Sequence, residues 1–217
     1  MSVAPKVIYF DVGKVLLTFS HERMCQQMAD VSGVSPEAVR AAVFGNDDAE
    51  ALHWRYEVGK LDTAGYYEHF CAEVGARPDR RLLEGACCDI FEPITPTWEI
   101  VRSLAAAGNR LALLSNINAL HWDHLSGGKF DVLRGAGGPS SPFEWAILSY
   151  EVGAMKPSPL IYRAAIEQAG VPAEQIFFTD DRPENVDGAR LAGIDAVLFE
   201  DTATLIDDLR ARGVAGV

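Results

Sequence analysis

Several short polar segments carry side chains that could together handle a phosphate group. The residues are Asp11, Ser115, Lys156, Asp180 and Asp181. Carboxylates brought close together repel one another unless a cation neutralises them. Hard oxygen ligands suit Mg²⁺, which shares its remaining valences with a phosphate, while a hydroxyl and an ammonium can hold phosphoryl oxygens. The set therefore predicts phosphoryl transfer at a Mg²⁺ site, with Asp11 free to act as a nucleophile and form an aspartyl-phosphate.

These residues are separated along the chain, so the fold must bring them together. Each lies at the end of a predicted strand or the start of a predicted helix. The predicted strands are 7–10, 110–115 and 175–179, and the helix is 159–169. In a doubly wound sheet the carboxyl ends of the strands meet at one crevice. We therefore expect the polar set to converge there, together with Asn116.

Two stretches of the chain differ in their pattern. From Thr95 onward aliphatic strands alternate with helices, which predicts a parallel sheet covered on both faces. Between the first strand and Thr95 we find helix signals and no strand signal. The predicted helices there are 21–32, one beginning at Pro36, 47–58, 63–74 and 79–90. We therefore expect an α/β core from residues 1–17 and 95–217, and a helical unit from residues 18–94.

Composition excludes several classes of protein. The net charge of −12 and the lack of a basic cluster argue against binding to nucleic acid or to a membrane surface. The four cysteines form no CxxC pair, which favours buried, reduced thiols rather than a zinc site or a disulfide framework. We find no signal-peptide pattern and no apolar stretch long enough to span a membrane. A cytoplasmic protein is expected.

The motifs resemble those of the haloacid dehalogenase superfamily, and the resemblance covers nearly the whole chain. The matching segments are Phe10-Asp11-x-Gly13-x-Val15-Leu16, Leu114-Ser115-Asn116, Lys156-Pro157 and Phe178-Thr179-Asp180-Asp181-x-x-x-Asn185-x-x-Gly188-Ala189. The resemblance implies a Rossmann-like three-layer α/β/α core with a parallel sheet. It also implies a small helical C1-type cap domain over residues 18–94, and Mg²⁺-dependent phosphatase activity on a small phosphorylated metabolite.

The same resemblance assigns roles to individual residues. Asp11 is the nucleophile and a metal ligand, the Gly13 backbone carbonyl is a second ligand, and Asp181 is a third with support from Asp180. Ser115 and Lys156 hold the phosphoryl oxygens, and Asn116 shapes their pocket. Lys14, next to Gly13, is a candidate for contact with phosphate or substrate.

Gly13 departs from the family pattern. Most phosphatases of this superfamily carry a second aspartate there, which protonates the leaving group. General acid–base catalysis of this kind contributes about 10²–10⁴-fold. One interpretation is a substrate with a good leaving group, such as a sugar 1-phosphate. Indeed a glucose-1-phosphatase-like subgroup also carries glycine there and resembles this chain at Tyr56-Glu57-x-Gly59.

Other interpretations remain open at this point. Lys14 or a cap residue could supply the proton, and Trp54, Arg55 and Tyr56 are candidates to face the site. Alternatively, the protein binds a phosphorylated ligand with weak catalysis. A 2-haloacid dehalogenase is less favoured, because Asp180 and Asp181 would repel a carboxylate substrate. His121 and His124 are expected on a surface helix rather than in a metal site.

Overall fold

The computed structural model describes residues 4–45, 51–138 and 140–217. Within these residues five strands form a parallel sheet. In chain order the strands of the protein are β1 (Val7–Phe10), β2 (Leu17–Phe19), β3 (Phe91–Pro93), β4 (Leu111–Ser115), β5 (Phe143–Leu148), β6 (Ile176–Asp180) and β7 (Asp195–Leu198). The parallel sheet has the order β5-β4-β1-β6-β7. The predicted α/β fold is confirmed.

Helices connect and cover these strands. They are α1 (His21–Ser32), α2 (Pro36–Phe44), α3 (Leu52–Glu57), α4 (Thr63–Val74), α5 (Arg80–Cys88), α6 (Thr95–Ala106), α7 (Ala119–His124), α8 (Ser149–Val152), α9 (Pro159–Ala169), α10 (Pro183–Leu191) and α11 (Thr202–Ala211). The helix predicted for 47–58 corresponds to α3, which begins at Leu52, and residues 47–50 of the prediction lie outside the described residues.

The central strand β1 is buried on both faces, which explains its apolar sequence. Ile8 and Phe10 pack into one hydrophobic cluster with α6 and α11, whereas Val7 and Tyr9 pack into another with α9 and α10. Successive side chains of a strand point to opposite faces. The sheet is therefore the middle of three layers.

The register places the ends of three strands side by side. Phe10 pairs with Leu113 of β4 and with Thr179 of β6. The residue after each of these positions therefore lies at the same edge of the sheet. The strand order reverses at β1, because β4 lies on one side of it and β6 on the other. Such a switch point is where open α/β sheets bind ligands.

The segment between the first strand and Thr95 is not purely helical, so the prediction of no strand there is wrong. β2 and β3 form an antiparallel pair, with Leu17 opposite Pro93 and Phe19 opposite Phe91. Each strand has three residues and its partner lies far away in the sequence, so no local periodicity indicates it. Helices α1–α5 lie between them and bury a hydrophobic cluster of their own around Met24, Tyr66 and Phe70.

Two boundaries in the second half of the chain differ from what the sequence pattern indicates. The aliphatic run 146–149 predicts a short strand, but β5 begins earlier, at Phe143, and ends at Leu148, since Ser149 already opens α8. The stretch 126–142, rich in Gly, Ser and Pro, predicts one irregular loop, but it begins within a wide helical turn, Leu125–Lys129. None of the described helices is long and apolar enough to cross a membrane.

Candidate active site

Lys156 is the centre of a buried ionic cluster at the carboxyl edge of the sheet. Its Nζ lies 2.8 Å from Asp11 Oδ1 and 2.6 Å from Asp180 Oδ2, and it donates to the Leu114 carbonyl at 2.9 Å. Burial would lower the pKa of Lys156, but the two carboxylates outweigh burial and raise it. The lysine therefore stays charged between two strands that end side by side.

Asp180 has both of its carboxylate oxygens engaged. Oδ2 faces Lys156, while Oδ1 accepts hydrogen bonds from the Arg182 backbone N–H and from Asn185 Nδ2, each at 2.9 Å. The side chain is fully buried at the end of β6. Its geometry is that of a residue that holds Lys156 in place.

Asn116 fixes the same lysine through its backbone. Its Oδ1 accepts from the Lys156 backbone N–H at 2.8 Å, and its Nδ2 donates to the Lys156 carbonyl at 3.0 Å. Both ends of the amide are therefore used to position Lys156. Ser115, the last residue of β4, is buried and lines a small recess beside the main cavity.

Asp11, Asp180 and Asp181 form a tight group of carboxylates. Oxygen atoms from the three residues lie within 4.8 Å of one another. Burial raises the pKa of Asp11 to about 7, with Lys156 opposing the rise and Asp180 adding to it. Burial and then the charge of Asp180 also raise the pKa of Asp181. A nearby cation would favour the ionised form of each group.

The donor set fits a hard divalent cation. Carboxylate oxygens of Asp11 and Asp181 are available at one point of the cavity wall, and Gly13 lines the same cavity. Asn185 Oδ1 is buried and has no hydrogen-bond partner among the described residues, so one more oxygen acceptor stands beside the acidic group. Oxygen-only sites of this kind are typical of Mg²⁺.

Lys14 reaches the rim of this group. Its Nζ lies 3.5 Å from Asp181 Oδ2, and its side chain is 62% exposed. Its backbone has a positive φ of 55°, which few residues other than glycine adopt. The backbone N–H donates to the Leu17 carbonyl at 2.6 Å, so the turn after Asp11 is held closed against β2.

A cavity of about 300 Å³ joins this edge to the helical segment. We call Asp11, Ser115, Lys156, Asp180 and Asp181 the strand-edge cluster. The side chains that line the cavity from β2, α1 and α3 are here called the helical wall: Phe19, His21, His53, Trp54 and Glu57. Of these five residues, Trp54 alone is predicted from the sequence as a candidate to face the site. Tyr56, also predicted from the sequence as a candidate to face the site, is instead buried among the helices, and its hydroxyl shares a hydrogen bond with the Thr63 hydroxyl.

Phe19 occupies the space beside Gly13. A Cβ atom added at Gly13 would lie 2.9 Å from Phe19 Cε1, which is closer than carbon atoms pack. The φ angle of Gly13 is not positive, so the backbone alone would accept a side chain. The aromatic ring therefore fills the place that a residue at position 13 would need.

His53 and Glu57 form a buried pair on one face of α3. His53 Nε2 lies 3.2 Å from Glu57 Oε1, with both side chains at most 10% exposed. Burial, the largest single effect, would raise the pKa of Glu57, but the charge and hydrogen bond of His53 together with the nearby His121 and His21 lower it overall. His21 lies beside them, its ring centroid 5.3 Å from that of His53. Burial and then His53 lower the pKa of His21 to about 4.

His121 is buried, so the prediction of a surface histidine is wrong. Asn118 caps α7 by accepting from the His121 backbone N–H, which turns its Nδ2 toward His121 Nδ1 at 3.1 Å. His121 Nε2 lies 3.2 Å from the Cys87 carbonyl. Burial lowers the pKa of His121 to about 3. Its neighbours include Cys87 of α5 and Phe91 of β3, which the sequence of α7 alone does not indicate. Cys87 and the other three cysteines are buried and free.

Comparison with known proteins places this geometry in a family. The model of the haloacid dehalogenase-like hydrolases matches residues 5–193. The phosphoserine phosphatase of Thermus thermophilus is 31% identical over 172 residues, which cover 72% of this chain and 66% of that protein. A flavin mononucleotide hydrolase of Arabidopsis thaliana is 33% identical over 75 residues, covering 35% of this chain and 31% of that protein. The chain thus spans less than two thirds of the length of these curated relatives.

Solved structures share the fold at lower identity. An HAD family enzyme of Bacteroides thetaiotaomicron, crystallised with magnesium and inorganic phosphate, superimposes with a TM-score of 0.76 at 22% identity. The match covers 93% of this chain and 98% of that one. The L-2-haloacid dehalogenase of Xanthobacter autotrophicus gives a TM-score of 0.61 at 19% identity, covering 95% and 83% of the two chains.

Proposed function

The chain belongs to the haloacid dehalogenase-like hydrolases, and within this family we propose that it is a Mg²⁺-dependent phosphatase of a small phosphorylated metabolite. The observation that carries the proposal is the strand-edge cluster. A charged, fully buried lysine bridges Asp11 and Asp180 next to Asp181, at the floor of a cavity. Such a cluster offers a nucleophile, a fixed positive charge and a cation site within a few ångströms.

The metal would be held by Asp11, Asp181 and the Gly13 backbone carbonyl. When bound, it supplies positive charge that neutralises the carboxylates and the phosphoryl oxygens. Asp180, assigned from the sequence to support Asp181, has partners in the protein for both of its carboxylate oxygens. We propose that it supports the site by holding Lys156.

Asp11 is the nucleophile in this proposal. One of its oxygens attacks the phosphorus, the ester P–O bond breaks, and an aspartyl-phosphate forms. Asp11 loses its negative charge in that step, which weakens its hold on the Lys156 ammonium. The ammonium is then free to hold a phosphoryl oxygen, together with Ser115 at the end of the neighbouring strand. Water then cleaves the aspartyl-phosphate and releases inorganic phosphate.

We propose that residues 18–94 act as the cap of this site. The segment begins and ends at the paired strands β2 and β3, and it contributes the helical wall of the cavity. A wall made by a separate unit can exclude water during phosphoryl transfer. In this proposal residues 1–17 and 95–217 are the core that carries the strand-edge cluster.

The cavity also limits the substrate class. Its volume of about 300 Å³ is at the small end of ligand sites, which suits a metabolite rather than a polymer. Its wall presents imidazole and aromatic surfaces, which suit an uncharged leaving group with hydroxyls. We therefore propose a sugar phosphate as the type of substrate. The curated relatives named above are hydrolases of phosphoserine and of flavin mononucleotide, which are phosphate monoesters as well.

The strand-edge cluster also separates this proposal from the alternatives. A dehalogenase would bring a substrate carboxylate to three protein carboxylates, which repel it. A purely binding protein needs no carboxylate placed like that of Asp11, 2.8 Å from a buried ammonium and beside a cation site.

Hydrolysis of para-nitrophenyl phosphate tests the proposal. Wild type should turn over with Mg²⁺ and lose activity on chelation, and Asp11→Asn should have no turnover with or without the metal. Asp207→Asn is the matched control, because Asp207 is an exposed aspartate on α11 and its loss should leave the rate unchanged. Activity without metal, or full activity in Asp11→Asn, would overturn the proposed function.

A further inference from the structure

The site needs a proton donor that position 13 cannot supply. The ring of Phe19 fills the space next to Gly13. Position 13 therefore offers no carboxyl group that could donate a proton to the leaving oxygen. A departing alkoxide without a proton is a poor leaving group, and a positioned acid is worth about 10²–10⁴-fold. Another residue that lines the cavity must therefore act, unless the substrate itself has an acidic leaving group.

The other proton-bearing groups around the cavity can be compared one by one. Lys156 has all its N–H groups directed at protein acceptors. Arg182 does not release its proton at accessible pH and pairs with Glu184. Lys14 is largely exposed and pairs with Asp181. Among the described residues that line this cavity, the histidines and Glu57 of the helical wall remain.

The pair of His53 and Glu57 has the features of an acid–base group. It combines an imidazole with a buried carboxylate one helical turn away, an arrangement that fixes the orientation of the ring. Burying polar groups of this kind costs free energy that apolar residues would avoid. The pair nevertheless lies on the cavity wall rather than inside the helical cluster. His21, with its pKa lowered to about 4, stays neutral beside it.

The end of α3 is pinned to the sheet, so the pair is held at a fixed place. Ser149 Oγ lies 2.6 Å from the Glu57 carbonyl and 3.0 Å from the Ile117 carbonyl. Gly59 approaches Tyr150 so closely that a Cβ would lie 2.2 Å from its carbonyl oxygen. Tyr56 Oη accepts from the Leu120 backbone N–H at 3.0 Å. Pre-organised groups of this kind are what acid–base catalysis requires.

We propose, on the basis of the phosphatase function above, that His53 held by Glu57 is the general acid and base of this enzyme. As Asp11 attacks the phosphorus and the ester P–O bond breaks, His53 gives its proton to the leaving oxygen, which departs as an alcohol. Neutral His53 then takes a proton from water. The resulting hydroxide attacks the aspartyl-phosphate, the bond from phosphorus to the Asp11 oxygen breaks, and phosphate leaves with His53 protonated again. Glu57 is a positioning residue.

Two aryl phosphates of similar shape test this role. The para-nitrophenolate ion leaves without a proton, whereas the phenolate of phenyl phosphate benefits strongly from one. His53→Gln should lower kcat/KM for phenyl phosphate by about 10²-fold or more. The same substitution should change kcat/KM for para-nitrophenyl phosphate by less than about threefold. His69→Gln is the control, because His69 is exposed on α4 of the same segment, and both rates should match wild type.

Glu57→Gln supplies a second variant if His53→Gln does not fold. It keeps the volume of the side chain and should show the same selective loss on phenyl phosphate, about tenfold in size. Equal losses on both esters, or no loss on phenyl phosphate, would overturn the role of His53 while leaving the phosphatase function intact. Failure of wild type to hydrolyse even para-nitrophenyl phosphate would overturn the proposed function and the inference with it.

Discussion

Asp11, Lys156 and Asp181 of the strand-edge cluster line the same cavity as the helical wall, but the two groups are positioned in different ways. Asp11, Ser115 and Asp180 end or follow neighbouring parallel strands, so the sheet register alone brings them together. His21 and His53 come from α1 and α3, and their positions depend on how helices pack. Backbone pairing locates the first group, whereas side-chain packing and a few cross-links locate the second.

The two groups also differ electrically. The strand-edge cluster holds several full charges that neutralise one another through Lys156. In the helical wall, burial keeps His21 neutral and one carboxylate is matched by one imidazole. The difference suggests a division of labour, in which one group acts on the phosphoryl group and the other on the leaving group.

The largest expected effect is the loss of the charge at the centre of the strand-edge cluster. Lys156→Met should reduce kcat/KM by about 10²–10³-fold, the scale for removing one group that stabilises transition-state charge. The reduction should be equal for phenyl and para-nitrophenyl phosphate, because Lys156 acts on the phosphoryl oxygens in both. Steady-state kinetics on the two esters measures it.

Stability gives a second readout for the same variant. Two buried carboxylates lose their partner, and breaking a buried pair in this way costs about 3–5 kcal/mol, which denaturant unfolding would measure. Lys129→Met is the control, since Lys129 makes an exposed pair with Asp89. A loss confined to phenyl phosphate would contradict the division between the two groups.

An aspartate introduced at position 13 should be able to replace the proton donor of the helical wall. Gly13→Asp alone should lower activity about tenfold or more, because the new side chain collides with the Phe19 ring at 2.9 Å. Combining it with Phe19→Ala removes the collision. In a His53→Gln background, the Gly13→Asp and Phe19→Ala pair should restore phenyl phosphate hydrolysis about tenfold, within the range of general acid catalysis.

Kinetics on His53→Gln with and without the added pair provides the measurement. Phe19→Ala in the same background, without the aspartate, is the matched control and should not restore phenyl phosphate hydrolysis. Restored hydrolysis with Phe19→Ala alone would mean that the Phe19 ring obstructs the substrate, and that the added aspartate does not act as an acid.

The same contrast explains what the sequence predicts well. Asp11, Ser115, Lys156 and the Asp180-Asp181 pair stand at the ends of apolar runs, so their types and order predict both the crevice and its chemistry. Phe19 gives no such signal, because its contact with Gly13 depends on β2 pairing with a strand more than seventy residues away. The spacing of His53 and Glu57 is visible as one helical turn, but which face of α3 meets the cavity depends on packing.

Acid sensitivity of the fold should come in part from His121, which is buried on α7. The pKa of His121 is about 3 in the folded protein and about 6.5 when unfolded. Below pH 6.5 the unfolded chain therefore binds a proton that the folded chain does not. The free energy of unfolding should fall by about 1.4 kcal/mol per pH unit for this residue as pH decreases from 6.5 to 4.

Denaturant unfolding of wild type and His121→Gln at several pH values checks this expectation. The variant should lose less stability than wild type over that range, because it lacks one of the buried titrating groups. His69→Gln, which removes an exposed histidine, should follow wild type. Parallel curves for wild type and His121→Gln would show that the buried imidazole is not the source of the pH dependence.

The smallest expected effect concerns the link between the two groups. Ser149 Oγ accepts from the Ile117 backbone N–H at 2.9 Å and lies 2.6 Å from the Glu57 carbonyl, so one hydroxyl joins the end of β4 to the end of α3. Ser149→Ala should lower the free energy of unfolding by about 1–3 kcal/mol, the cost of leaving buried polar groups without a partner.

The effect on activity should reveal which group the link serves. If Ser149 holds α3, and with it His53, at the distance from the strand-edge cluster that catalysis requires, Ser149→Ala should lower phenyl phosphate hydrolysis a few-fold. It should leave para-nitrophenyl phosphate hydrolysis nearly unchanged. Ser126→Ala is the matched control, because Ser126 Oγ bonds only one turn back, to the Trp122 carbonyl. Since Ser149 touches no reacting atom, a selective loss would mean that the leaving-group chemistry depends on where the helical wall stands relative to the sheet. An equal loss on both esters would mean that the hydroxyl supports the strand edge instead.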